Sequence, residues 1–377
     1  MVSHAGVLPH PEVLVEVEHT GTTEKAAFDA VLDEAVSEVV HHQVDLGIDV
    51  VNDGELAKRG GFAGYIRSRM SGIVQHAPHA GFEPRRVNAR DQRMFPGFYA
   101  AGRGGARNAT GQPNPAENPH YAVEPLKYTG HEAVAEDIRR LKEAAAGQDV
   151  ELYIPGVAPG TMEHWLWNEY YSTDEEFMFA IADVLHEEFK AITDAGIIVQ
   201  IDDPDLPDGW QIYPDMTLEE YRIYARLRVE AINHSIRGLP EELIRFHICW
   251  GSQHGPHADD IPLREVVDLA LEVKAQCLSV EAANPTHEHE WTVWEDVKLK
   301  DGHFLMPGVV GHATDLIEHP ELVAQRLVRY AELVGKENVI AGTDCGLGSR
   351  VGHGEICWAK LDSLSKGAAI ASSILWK

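Results

Sequence analysis

The chain has 377 residues, 44% hydrophobic and 24% charged, enough for a sizeable core in one large domain or two smaller ones. Its 60 acidic and 32 basic residues give a formal charge of −28, a field that repels phosphate backbones and anionic membrane surfaces, so no nucleic-acid or membrane partner is expected. No apolar run approaches bilayer length, and the first residues lack the basic start and apolar stretch of a secretion signal, so a cytoplasmic location is expected.

MVSHAGV at the start is a strand candidate. Residues 28–46 carry helical spacing that ends at Gly47, and IDVVNDGE follows at once. From 75 to 120 the pattern fails in a stretch rich in Gly, Pro, Asn and Arg. That stretch reads as a loop insertion, either a solvated excursion or a lid or subunit contact, and the last of these would make a homo-oligomer. AVEPLKY follows, then a helix over 131–146 with Val134, Ile138, Leu141 and Ala145 on one face, then VELYIPGV. A helix over 174–194 stops at Gly196 and leads into IIVQID. RFHICWG, a helix over 262–275 and CLSVEAAN come next, with a second insertion over 284–304 that ends in an Asp-Gly turn. MPGVVGHA, a helix over 320–334, NVIAGTDCG and a helix over 355–373 complete the chain.

Strands alternating with helices predict a parallel sheet, because each parallel crossover needs a helix-length connection. No Gly-rich phosphate-binding motif opens any of the helices, which removes the main argument for a nucleotide-binding sheet. Nine strand candidates stand against the eight of a closed barrel, so one is expected to be peripheral. The expected fold is α/β, a single (β/α)8 barrel over 1–377 with two loop insertions.

Strand candidates end in chemically capable residues: Glu55, Asp202 and Asp203, His247 and Cys249, Glu281, His312, and Cys345. In a barrel those ends form one rim, where residues distant in sequence meet. Residues i and i+2 of a strand share a side, so His247 and Cys249 face one centre. An imidazole and a thiolate suit zinc, and four-coordination would need one or two more donors from Cys345, Glu281 or a substrate. Alone, such a pair reads more readily as packing, since a buried cysteine is a small hydrophobe; Cys345 and Glu281 at other strand ends turn the reading towards a metal. Cys277 and Cys357 are expected to be packing residues, and four scattered cysteines make no disulfide framework. HWLWNEYY at 164–171 is either a ligand wall or aromatic core. HGPH at 254–257 and HEHEW at 287–291 read as solvated loop histidines or as groups behind the site.

DGE at 53–55, QIDDP at 200–204, HIC at 247–249, LSVE at 278–281, PGVV at 307–310 and DCGL at 344–347 resemble, in order, the catalytic barrel of the cobalamin-independent methionine synthase family, which includes epoxyalkane:coenzyme M transferase-like relatives. The resemblance runs from about residue 4 to the end. It implies a zinc ion (Zn2+) held by His247, Cys249, Glu281 and Cys345 in an eight-stranded barrel. It also implies Glu55 and Asp202 at the acidic positions that hold the amino group of homocysteine, with Asp203 and Asp344 in the substrate-binding set. His312 falls near the acid–base histidine, with a local spacing one residue shorter.

Three departures accompany it. Methionine synthases of this class have a second, N-terminal barrel-like half, and here there is one half. HAGVLPH replaces a Gly-Ser-Phe-Pro stretch, which puts Val7 where a serine would contact the amino acid, and Asp203 stands for a glutamate. The expected activity is zinc-dependent alkylation of a small thiol by an alkyl donor, as methyl transfer or, in a related chemistry, as thiol addition to an epoxide. A non-catalytic barrel with structural zinc and a metal-free decarboxylase of the uroporphyrinogen type are the readings from other classes.

Overall fold

Among the described residues the chain forms ten strands: β1 (Val50–Val51), β2 (Met70–Gln75), β3 (His120–Tyr128), β4 (Glu151–Val157), β5 (Trp167–Asn168), β6 (Ile198–Asp202), β7 (Ile244–Ile248), β8 (Cys277–Glu281), β9 (Phe304–Val310) and β10 (Gly342–Thr343). The computed structural model describes residues 1–20, 25–58, 61–80, 82, 89–101, 118–251 and 255–377. Of the 75–120 insertion, residues 81, 83–88 and 102–117 lie outside the described residues, and so does His254 of the HGPH stretch.

One parallel sheet runs β1-β4-β6-β7-β8-β9-β10. Its two edges are joined by the chain start. Val2 forms a parallel bridge with Ala341, Ser3 N–H donates to Ala341 O at 2.9 Å, and Asp49 N–H donates to Val2 O at 2.9 Å. MVSHAGV is thus the eighth staff of a closed barrel. The peripheral candidate is AVEPLKY: β3 pairs antiparallel with β2 and parallel with β5 in a separate three-stranded sheet. The reason lies in its side chains. β7 and β8 are buried at every position, as a strand covered on both faces must be, whereas β3 exposes Glu124, Pro125 and Lys127.

Helices shield the barrel. In Lys25–Asp45, Phe28, Leu32, Ala35, Val36, Val39 and Val40 recur with the 3.6-residue period and are buried. Asp174–Asp194 begins at Thr173, whose side chain accepts from Glu176 N–H, carries three acids in its first turn and ends before Gly196 in the left-handed region at φ +73°. The expected 262–275 helix shrinks to a 3₁₀ turn, Leu263–Glu265, and a short helix, Val267–Ala270. Leu263, Val266, Val267, Leu269, Ala270 and Val273 are buried, while Arg264, Asp268 and Glu272, four apart, are exposed and Asp268 pairs with Arg222 at 2.6 Å.

The three-stranded sheet is pinned to the barrel's flank by Arg69, whose Nη1 meets Glu188 at 2.6 Å and whose Nη2 meets Asp137 at 2.5 Å. Tyr128 donates its hydroxyl to the same glutamate. All three charged groups are buried, where an unpaired charge costs about 3–5 kcal/mol, so the network holds the outer sheet in one position. HWLWNEYY packs on this sheet: Tyr171 lies 5.7 Å from the Phe177 ring and accepts from Leu126 N–H at 2.8 Å. Cys277 and Cys357 are buried packing residues. Among the described residues no helix is long and apolar enough to cross a membrane.

Candidate active site

β7 and β8 run in register with His247 opposite Ser279, and His247 Nδ1 pairs with Ser279 Oγ at 2.9 Å. That contact fixes the ring and leaves Nε2 buried with no hydrogen-bond partner. Cys249 follows β7, and Cys345 follows β10. The ligand atoms of His247, Cys249 and Cys345 lie within 4.8 Å of one another, and the two sulfurs are 3.7 Å apart. A disulfide would bring them to about 2.05 Å. A tetrahedral ion with metal–sulfur bonds of about 2.3 Å places two thiolates about 3.8 Å apart, so the donor set fits a metal and the orphaned nitrogen has a use. Hydrogen bonding from Cys249 drives Cys345 well below the usual thiol range, against burial and with help from His247. Cys249 is raised well above it by the same contact and by burial.

Glu281 ends β8 beside this group, outside the compact three. Its Oε1 accepts from Trp250 N–H at 3.3 Å and its Oε2 from the Asn284 amide at 2.6 Å. Burial raises its carboxyl to about 8, with Asp344 adding to the rise. Asp344, expected in the substrate-binding set, is instead turned onto backbone: its Oδ1 accepts from Ala282 N–H at 2.7 Å and Ala283 N–H at 2.9 Å, locking the end of β8 to the end of β10. Gly308 permits that approach, since a Cβ there would lie 2.4 Å from Asp344 Cα.

The acidic pair comes from two loops. In NDGE, Asn52 Oδ1 accepts from Gly54 N–H and Asp53 Oδ1 from Glu55 N–H, both at 2.9 Å. These bonds hold Glu55 in the left-handed region at φ +60°, a conformation that costs a residue with a side chain about 1 kcal/mol or more. Gly6 makes room for its carboxylate, because a Cβ there would sit 2.6 Å from Oε1. Glu55 Oε2 pairs at 3.1 Å with buried Lys58, which also donates to Pro155 O. Asp202 faces the same region. Burial raises it to about 7; His247 and Lys58 oppose that rise and Glu55 supports it. Asp203 points the other way, as the alternation of a strand requires: its Oδ1 accepts from Thr161 Oγ1 at 2.9 Å and from Leu206 N–H at 3.1 Å. It is a helix-start clamp beside the barrel, away from the rim donors.

His312 follows β9 through Gly311, and both ring nitrogens are buried without a hydrogen-bond partner. Burial pushes it down to about 3, with Cys345 opposing and Arg350 adding, so the ring is neutral. A cavity of about 810 Å³ opens at the opposite mouth, among strand starts such as Ile198, Ile244 and Phe304, away from all these groups.

Several residues escaped the sequence reading. Lys58, Asn284 and Arg350, which donates to Gly251 O at 3.0 Å, lie outside the six matching motifs, and Ser279 lies inside LSVE without being singled out; only the closed barrel brings them to the rim. His287, read as either a solvated loop histidine or a group behind the site, is buried: it stacks on Trp250 with centroids 3.8 Å apart and lies between Glu290 at 2.9 Å and Asp260 at 3.3 Å. Burial opposes its charge and the two carboxylates outweigh it, raising the imidazole to about 10. A folded-state pKa above the free value of about 6.5 gives stability that is whole below that value and lost as pH rises through 10. Urea midpoints should therefore fall from pH 7 to pH 10, at up to roughly 1.4 kcal/mol per pH unit from this group, and His287→Asn should flatten the slope. Equal slopes in the two proteins would rule out a charged His287.

A parallel barrel with an imidazole, two thiols and flanking carboxylates on the C-terminal rim defines an enzyme of the barrel class whose rim side chains could hold a metal. Residues 139–366 match the family model described as the cobalamin-independent synthase catalytic domain, and the chain belongs to that family. It is similar to the methionine synthase of Thermococcus kodakarensis, 25% identical over 343 residues, which are 91% of this chain and 83% of that protein. The methionine synthase of Sulfolobus acidocaldarius is 25% identical over 383 residues, 99% of this chain and 92% of the relative. Among solved structures, a B12-independent methionine synthase from a Shewanella species, in complex with selenomethionine, shares the fold with a TM-score of 0.75 at 23% identity, over 100% of this chain and 98% of that one.

Proposed function

We propose that this protein is a zinc-dependent methyltransferase that methylates the sulfur of a small aminothiol, homocysteine first among them. The observation that carries the reading is the 3.7 Å pair of sulfurs beside the unpartnered His247 Nε2, at the rim of a barrel of this family. His247, Cys249 and Cys345 would hold the ion, and Glu281, already tied to Trp250 and Asn284, would be the exchangeable fourth donor. When bound, zinc supplies a lowered pKa to a substrate thiol that is otherwise mostly protonated near pH 7.

The chain's own residues do the rest. Glu55 and Asp202 offer carboxylates to the substrate's ammonium group, and Lys58 keeps that corner from repelling its own charges. Asp344 holds the β8 and β10 ends together, so that the donors stay converged. Neutral His312 has one ring N–H and one lone pair, both unengaged in the protein; the lone pair can take the proton that the substrate thiol gives up, and the imidazolium so formed can return it to the atom that the methyl group leaves. Relatives named methionine synthase are matched over 83% and 92% of their own lengths, which supports the reading. The aspartate at position 203 does not disturb it, because Asp203 is turned away from the rim.

The test crosses homocysteine, coenzyme M and glutathione with N-methyl pterins and small epoxides, with zinc present. The expected result is S-methylation of homocysteine by a methyl pterin. Turnover with an epoxide and none with a methyl donor would overturn the reading in favour of epoxide opening.

A further inference from the structure

We propose that His76, His79 and Glu169 form a second metal site, for a divalent transition-metal ion, on the outer three-stranded sheet. His76 follows β2 and His79 lies three residues on, with Pro78 restricting the turn between them. Glu169 follows β5 and is anchored by its backbone N–H to Ala122 O of β3 at 3.0 Å. The three ligand atoms lie within 4.8 Å of one another, with His76 Nε2 at 3.4 Å from Glu169 Oε2 and His79 Nε2 at 2.7 Å from Oε1. Ligands at about 2.0–2.1 Å around a tetrahedral ion stand roughly 3.3 Å apart, so small side-chain shifts would close the set on a metal.

Two further features suit a ligand role. His76 Nδ1 is 2.8 Å from Ala77 O, a contact that needs the proton on Nδ1 and leaves the Nε2 lone pair aimed at the cluster; metal-bound histidines are oriented by this kind of outer contact. The His76 ring is held in place by stacking on Tyr121, with centroids 3.9 Å apart and planes 4° from parallel. His79 is 68% exposed, so an ion and its remaining water ligands have open access. Two imidazoles and one carboxylate suit zinc, cobalt, nickel or copper and not magnesium or calcium. As a metal-free ion pair the same exposed groups would add little to stability. A bound ion would tie the chain after β2 to the chain after β5.

The test uses the full-length protein, free of any polyhistidine tag, stripped of metal and titrated with Co2+. Two equivalents are expected to bind. One, at the rim, should give the strong near-ultraviolet absorption of thiolate-bound cobalt, and the other should not. His76→Ala with His79→Ala should remove the second equivalent, lowering its affinity by at least about 100-fold, and leave the thiolate absorption intact. Glu169→Gln should weaken the same equivalent. Because these side chains lie on the surface, circular dichroism should show unchanged folding. A wild type that binds only the thiolate-signalled equivalent, or a double variant that still binds both, would overturn the proposal.

Discussion

Cys345→Ala is expected to release the rim metal and to lower thiol methylation by at least about 1,000-fold while the barrel remains folded. Among the three compact donors Cys345 is the one reached by water, so its removal opens little packing; the whole effect falls on the ion. A thiolate supplies both charge and a soft donor, and binding to sites of this kind is worth about 10–16 kcal/mol, so the loss of one of two thiolates cannot be made up by water. His247→Ala should do the same and add a cavity cost, because that ring is 1% exposed. Co2+ absorption is the right measure, since it separates the thiolate site from imidazole sites elsewhere on the chain. Thiolate–cobalt absorption persisting at one full equivalent in both variants would refute the donor assignment, whatever the activity.

Much of this site was legible because its signals are local. A histidine and a cysteine two apart on a buried strand must share a side, and the barrel rim then supplies Cys345 from about a hundred residues away. The strand–helix grammar was legible for the same reason. AVEPLKY could have been set apart in advance, since a charge, a proline and a lysine within one strand do not suit a barrel staff buried on both faces.

What stayed hidden depended on direction. Neighbouring Asp202 and Asp203 look equivalent in a string of letters, yet a strand sends one to the rim and the other to a helix start. The resemblance put Asp344 in the substrate-binding set; its Oδ1 accepts from two backbone N–H groups that the sequence alone could not place nearby. Lys58 was missed, and His287 was left open between solvent and a place behind the site, because a charged residue reads as solvated until its partners are known, and these two side chains are buried against carboxylates from their own loops and neighbouring ones.

Asp202→Asn is expected to lower kcat/KM for homocysteine by about 30-fold or more and to leave one equivalent of thiolate-bound metal in place. The expected size follows from truncating one partner of a buried charged pair, about 2–5 kcal/mol. The residue sits at the end of β6 opposite His247 in the register and takes a hydrogen bond from Gln200 at 2.7 Å, so the isosteric amide keeps the packing and removes the charge. The loss should depend on the thiol. A substrate with an ammonium group loses its counter-charge, whereas one with a sulfonate in that place was repelled by Glu55 and Asp202 and should improve or stay unchanged. A thiol panel run on wild type and variant therefore reads the role directly. An equal fall for amino and sulfonate thiols would assign Asp202 to the architecture of the rim and remove it from substrate recognition.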